Sequence, residues 1–323
     1  MKNWLANRRA LLVIGCWLAL AACAPASPAA EPDRSEVFTV VLMPDTQFYC
    51  EKYPDTYVRQ TMWIRERVKE DNLKFCISLG DIVQHSDIEQ EWINANNAAK
   101  ILDGVLPYSM VPGNHDLAFK GDALTHEAPL FNKYFPAARY DQEPWYGDHK
   151  GDDNRNNYCF FEGAGRKFLV LSLEFGPTDE TLSWAEEICK KHPDHNIILA
   201  THSYLGLKGR TEGPQRSYKM EGNSGDQMWE KLVKKQANIF MVASGHVSGV
   251  NMQVSTNDAG RPVIEILTDY QDQKDGGEGW LRTMKFVPKE NKIYVTAYSP
   301  LLKKYSSDPK ETHTIDLDFA KLR

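Results

Sequence analysis

The chain has 323 residues, 42% of them apolar, and a formal net charge of −6. Its length suits one large α/β domain with a well-buried core, and no internal repeat or second shift of composition divides it. The negative balance argues against attraction to polyanions, so no nucleic-acid partner is expected.

Lys2, Arg8 and Arg9 precede an apolar stretch over residues 10–22. It is too short and too close to the terminus for an ordinary spanning helix and reads as an export signal. Leu20-Ala21-Ala22-Cys23 resembles a bacterial lipobox, in which Cys23 is lipidated and becomes the first mature residue. Val13-Ile14-Gly15-Cys16 matches the same pattern but leaves an apolar core of residues 10–15 alone, so Cys23 is preferred. An ordinary secretory signal cleaved nearby is the alternative, and either reading exports the protein. The expectation is a cell-envelope lipoprotein, facing the periplasm or on the cell surface, whose membrane contact is a lipid anchor. Loss of residues 1–22 takes the net charge from −6 to −9. Residues 23–36 are rich in Ala and Pro and read as a tether, leaving residues 37–323 as the folded domain.

Five apolar runs in that domain, residues 37–43, 73–79, 106–111, 197–200 and 239–243, each stop shortly before a residue able to bind a metal: Asp45, Asp81, Asn114, His202 and His246. Between the first three, residues 57–71 and 88–102 carry partly amphipathic patterns through Val58, Met62, Ile64 and Val68 and through Trp92, Ile93 and Ile101. These suit crossover helices between parallel strands. Residues 117–157, rich in Gly, Asp, Asn and aromatics, read as loops shaping a binding mouth. Residues 160–173 read as a hairpin turning at Gly163-Ala164-Gly165, residues 181–191 as a helix, and residues 280–287 with 292–298 as a second hairpin. A sixth apolar run, residues 263–267, leads to Tyr270 and Gln271. Cys50, Cys76, Cys159 and Cys189 remain in the domain, where export permits disulfides and buried free thiols are equally compatible.

Strands of an open α/β fold present ligands at their carboxyl ends. Singly, Asp45 and Asp81 suit helix caps, Asn114 a turn, and His202 and His246 core positions. Together at five strand ends they read as a metal site.

Pro44-Asp45-Thr46-Gln47, Gly80-Asp81, Gly113-Asn114-His115-Asp116, Thr201-His202 and Gly245-His246 occur in the order and approximate spacing of the calcineurin-like metallophosphoesterases. The chain resembles that family from about Val37 to Val250. The resemblance implies two facing mixed β-sheets flanked by helices, an αββα sandwich, with the final hairpin completing the second sheet. It implies hydrolysis of a small phosphoester by two divalent ions, Mn, Fe or Zn, which clamp the phosphoryl group and hold the hydroxide nucleophile. By the same pattern Asp81 bridges the ions, Asn114, His202 and His246 complete one shell, and Asp45 serves the other. His115 is then the general acid, Asp116 orients it, and Asn114 and His115 meet the substrate.

The chain departs from the family at two positions. The first motif commonly reads Asp-x-His and the last Gly-His-x-His, whereas Gln47 and Ser248 stand here in place of those imidazoles. Both losses fall on the ion held by Asp45. Gln47 can ligate through its carbonyl oxygen, as in an Asp-x-Gln branch of the family that includes manganese-dependent pyrophosphatases acting on nucleotide diphosphate compounds. Ser248 is a poor ligand, so the two ions are expected to be held unequally, with Mn²⁺ or Mg²⁺ favoured at the weaker position. Thr268-Asp269-Tyr270-Gln271 and the Gly-rich stretch 276–282 look like the tail of an exported bacterial subgroup with the same Pro-Asp-Thr-Gln opening. Tyr270 and Gln271 are candidates to reach the site, and Arg155, Arg210 and Arg216 to grip substrate phosphate. The alternative function is a catalytically impaired metal- or phosphate-binding envelope lipoprotein.

Overall fold

Alternation along the first strand, Phe38–Met43, sets the layers of the molecule. Phe38, Val40 and Leu42 point to one face and Val41 and Met43 to the other, and all five are buried. A strand apolar on both faces belongs in the middle of a layered fold. The computed structural model describes residues 36–213 and 217–323, so Cys23, the signal and tether segments and Arg216 lie outside the described residues.

Phe38–Met43 pairs parallel with Leu73–Ser78, which pairs parallel with Tyr108–Ser109. The crossovers carry the helices Pro54–Arg67 and Glu89–Ala99. Pro54 sits in the first turn with its backbone angle already suited to a helix, which starts this element before residue 57. Only two residues of the third apolar run pair as a strand, yet Met110 and Val111 beyond them are buried and lead straight to Gly113. The opposite edge of Phe38–Met43 takes Leu281–Val287, antiparallel, and through it Lys292–Ser299. The final hairpin therefore completes the first sheet rather than the second. The crossovers build away from one edge of Phe38–Met43 only, and the hairpin fills the other, burying Met284, Phe286, Ile293 and Val295 between the sheets.

The second sheet, also seven-stranded, runs Gly249–Thr256, Pro262–Asp269, Ile239–Ser244, Asn196–Thr201, Arg166–Leu173, Asn157–Gly163 and Tyr146–His149. Parallel pairing in its centre and antiparallel pairing at its edges make it mixed, like the first. Between the sheets Phe38 stacks on Phe286 at 4.5 Å and Phe161 on Phe168 at 4.9 Å. Such pairs contribute about 0.5–1.5 kcal/mol each beyond their buried area. A Cβ on Gly163 would come within 2.6 Å of the Phe38 ring, and Ala164 and Gly165 turn the hairpin there with φ of 50° and 69°.

Helices cover both outer faces. Ile64, Trp92 and Ala95 lie against the first sheet, and Leu182, Ala185 and Ile188 of Asp179–Lys191 against the second. The latter helix starts at Asp179 because the Thr178 hydroxyl accepts from the Thr181 amide and caps it. Cys50, Cys76, Cys159 and Cys189 are free and buried. Among the described residues no helix is long and apolar enough to cross a membrane.

Candidate metal centre

Both sheets end on the same side, and the residues just past their strands interlock. The Thr46 amide donates to the Asp81 carbonyl at 3.0 Å and the Gly245 amide to the His202 carbonyl at 2.9 Å. The His115 amide donates to Asp81 Oδ1 at 3.0 Å and the His246 amide to Asp45 Oδ2 at 3.2 Å. These approaches explain the glycines that open two of the motifs. A Cβ on Gly113 would sit 2.1 Å from Asp81 Oδ1, and one on Gly245 would sit 2.2 Å from Asp45 Oδ1. Asp81 and His246 hold φ of 46° and 72°, uncommon for residues with a side chain and sustained here by the surrounding contacts.

His202 is fully buried and its Nδ1 donates to the Leu79 carbonyl at 2.7 Å. That bond sets the ring's orientation and turns Nε2 toward Asp81 Oδ1 at 3.1 Å, Asn114 Oδ1 at 3.1 Å and His246 Nδ1 at 3.2 Å. A proton can lie between only one pair of these atoms, whereas a divalent cation can accept a lone pair from all four. The donor set therefore fits a metal ion, and the ligand atoms of Asp81, His202 and His246 all lie within 4.8 Å of one another. Asn114 presents its oxygen because its Nδ2 donates to the Tyr218 hydroxyl at 3.1 Å. Phe175 packs against both imidazoles, with ring centroids 5.9 Å from His202 and 5.3 Å from His246.

Burial opposes every charge in this centre, and neighbours decide the outcome. Burial would raise the Asp81 acid, but His202, His115 and His246 outweigh it and hold that carboxyl down at about 2. Burial, Asp269 and Asp81 all push Asp45 well above the carboxylate range. Burial together with the His202 charge lowers His246 to about 3, so its ring is neutral. On His202 burial is overcome by the adjacent Asp81, which raises its affinity for a proton.

Asp116 does not orient His115. Its carboxylate accepts from the amides of Gly113 at 2.7 Å and of Ile82 and Val83 at 3.0 Å, tying the loop after Asp81 to the turn that carries Asn114. It is a positioning residue. His115 is held instead through Nδ1 by the Gln84 carbonyl at 2.8 Å, and the buried Glu91 carboxylate accepts from the amides of Gln84 and His85 beneath it. His115, Asn114, Tyr218, Phe119, Gln84 and His85 line an open cleft of about 270 Å³.

The remaining candidates are arranged differently. Gln47 is buried, its Nε2 donates to Gln84 Oε1 at 2.9 Å, and its Oε1 receives no hydrogen bond. Tyr270 packs with Trp280 and Ala297, whereas Gln271 reaches the Asp269 carboxylate at 2.9 Å and the His246 carbonyl at 3.4 Å. Arg155 pairs with Asp153 and with buried Glu174, both at 2.8 Å, and its guanidinium is not free for substrate. Arg210 pairs with fully buried Glu265 at 2.7 Å and lies over the Trp229 ring. Each arginine compensates a carboxylate the core would otherwise leave bare. His126 also meets Glu174, at 3.2 Å.

Three residues around the centre escape the motif reading. Glu91 looks like an ordinary helix carboxylate, and Tyr218 stands 104 residues from its partner Asn114. Asp269, fully buried, follows the sixth apolar run one residue before Tyr270.

A family model described as calcineurin-like phosphoesterase matches residues 38–249. The chain is 33% identical over 300 residues to the uncharacterized protein YvnB of Bacillus subtilis (strain 168), an alignment covering 89% of this chain and 22% of that protein. It thus spans about a fifth of that relative's length. Among solved structures it is similar in fold to the purple acid phosphatase PPD1 from yellow lupin (Lupinus luteus) seeds. That likeness has a TM-score of 0.56 at 11% identity and covers 89% of this chain and 55% of that one. With a buried Asp and His cluster at the carboxyl ends of two facing mixed sheets, and a family match over most of its length, the chain belongs to the calcineurin-like phosphoesterases.

Proposed function

We propose that this chain is a metal-dependent hydrolase of small phosphate esters, exported and held in the cell envelope by a lipid on Cys23. The observation that carries the catalytic reading is the set of four lone-pair atoms meeting at His202 Nε2, with His115 lining the adjoining cleft. Asp81, Asn114, His202 and His246 would hold one divalent ion, and Asp45 with Gln47 would contribute to a second. When bound, such ions neutralise phosphoryl charge and make water nucleophilic at neutral pH. The unpartnered, buried Gln47 Oε1 supports its role as a ligand. His115, anchored at Nδ1 by the Gln84 carbonyl, keeps Nε2 for the leaving oxygen and delivers a proton there. A cleft of about 270 Å³ suits a small ester rather than a polymer. The envelope reading is supported by Lys2, Arg8 and Arg9 before an apolar stretch that ends at Cys23.

The test is hydrolysis of aryl phosphate mono- and diesters by the metal-stripped chain titrated with Mn²⁺, Zn²⁺ and Fe²⁺. Turnover should require metal, and His115→Ala should lower kcat by about 10²–10⁴ with metal content unchanged. Tight metal binding without turnover of either ester class would replace the hydrolase with the binding lipoprotein. For the anchor, radiolabelled palmitate should enter the wild-type chain and not Cys23→Ala.

A further inference from the structure

One carboxylate braces the loop that joins Asp81 to the helix Glu89–Ala99. Glu91 is 5% exposed, and among the described residues every hydrogen bond of its carboxylate goes to that loop. Its Oε2 accepts from the amides of Gln84 at 2.8 Å and His85 at 2.9 Å, and its Oε1 accepts from His85 Nδ1 at 2.8 Å. A carboxylate accepts, so the proton of that last bond sits on Nδ1, and Nε2 of the neutral His85 ring carries the lone pair. His85 Nε2 has no partner among the described residues, and the ring lines the same cleft as His115.

The brace reaches His115 as well. The Gln84 carbonyl holds His115 Nδ1 at 2.8 Å, so Glu91 sets one ring directly and the other through the Gln84 backbone. Two imidazoles, each tied back at Nδ1, therefore share one wall of the cleft. The rest of the lining says what they face. Apart from the two rings it holds no Lys or Arg among the described residues, Asp87 adds a carboxylate, and exposed Phe119 adds an apolar ring. A leaving group with a phosphate of its own would meet no fixed Lys or Arg there. A neutral leaving group suits this wall, and a hydroxyl is the neutral group of an alcohol that donates to an imidazole lone pair.

We propose that His85, positioned by Glu91, accepts a hydrogen bond from a hydroxyl of the leaving group, and that the substrates are phosphate esters of neutral, hydroxyl-bearing alcohols such as polyols, sugars or nucleosides. His85 is then a substrate contact beside the general acid, and Glu91 is a positioning residue for both rings. The inference rests on the phosphoesterase reading above.

The experiment uses the full chain loaded with Mn²⁺ and compares phosphate esters of glycerol with those of phenol, as monoesters and as methyl diesters. Each variant is judged by its loss on the glycerol ester relative to its loss on the phenol ester, which cancels the different reactivity of the two leaving groups. His85→Ala should raise KM for the glycerol ester about 2- to 10-fold more than for the phenol ester, the size of one neutral hydrogen bond, with kcat moving less. His85→Gln restores an acceptor oxygen and should recover part of that preference. Glu91→Gln keeps an acceptor for the two amides but loses the carboxylate behind the rings, so it should lower kcat on both esters through His115 and also narrow the KM preference. Metal content should match wild type in all three variants. Equal losses on the two esters in His85→Ala, or wild type that hydrolyses phenol esters and not glycerol esters, would overturn the role of His85 and leave the phosphoesterase standing. A Glu91→Gln variant that keeps the full KM preference would overturn the positioning of His85 by Glu91. Wild type that turns over none of these esters would remove the phosphoesterase reading and this proposal with it.

Discussion

Around His202 Nε2 each ligand atom has a partner behind it that sets its direction: the Leu79 carbonyl for His202, the Tyr218 hydroxyl for Asn114, the His115 amide for Asp81. Around Asp45 no such convergence of partners exists among the described residues, and after burial the charges of Asp269 and Asp81 are the largest influences on its carboxyl. The first half is preorganised by hydrogen bonds; in the second, burial and the neighbouring carboxylates hold the Asp45 carboxyl well above the usual range. One scaffold carries both because each strand end contributes a single residue, so changing that residue alters the chemistry of one half without disturbing the strands behind it.

The largest effect should come from His202→Ala. It removes the atom on which the other three donors of the first half converge and leaves Asp81 buried without its closest imidazole. Elemental analysis after dialysis should show that half empty, and turnover of aryl phosphates should fall by at least about 10³-fold. Should the variant hold both ions as tightly as wild type, the contrast between the halves is lost.

A smaller effect follows from the buried carboxyls around the centre. Burial, with Asp81 nearby, raises Asp269 to about 6 and Asp116 to about 7, against about 4 in an unfolded chain. Asp45 is raised as well. Between pH 4 and 7 the folded chain therefore keeps protons that the unfolded chain has released, and the stability of the metal-free protein is lost as pH rises through that window. His246, lowered to about 3, acts in the opposite sense up to about pH 6.5, one group against three carboxyls. Calorimetry on the metal-free chain should show Tm falling by several degrees from pH 5 to pH 8, and saturating Mn²⁺ should reduce the slope. A flat metal-free profile would mean that the carboxylates are already neutralised within the protein.

Much of this architecture is legible in the chain itself. Asp45, Asp81, Asn114, His202 and His246 announce themselves because an apolar run cannot continue through a buried charged or polar group without a reason, and each run stops at one. The strand alternation at Phe38–Met43 likewise follows from period alone. What is hidden depends on long-range pairing. Arg155 and Arg210 look like free cations until Glu174 and Glu265, 19 and 55 residues away, arrive beside them. The placement of the final hairpin depends on which edge of Phe38–Met43 the crossovers leave open. Asp116 follows His115 in the chain, yet its carboxylate turns to the amides of Ile82 and Val83, more than thirty residues upstream. Asp269 lies past the end of an apolar run, as the five motif residues do, but next to Tyr270 in the chain, and its burial follows only from the second sheet closing over it.

Tyr218 offers the finest division between the halves. Its hydroxyl is the acceptor for Asn114 Nδ2, and its ring packs edge-on against Phe175 at 5.6 Å. Tyr218→Phe keeps the ring and removes the acceptor, so the Asn114 amide loses the contact that distinguishes its oxygen from its nitrogen. A neutral hydrogen bond of about 0.5–1.5 kcal/mol corresponds to roughly a 2- to 10-fold change in an equilibrium constant. The imidazole-bearing half should lose affinity for Zn²⁺ by that factor, while the Mn²⁺ affinity of the Asp45 half stays unchanged. Equal weakening of both would show that the halves are coupled through Asp81. A fall in kcat with both affinities intact would give the hydroxyl a different task, contact with substrate in the cleft it lines beside His115.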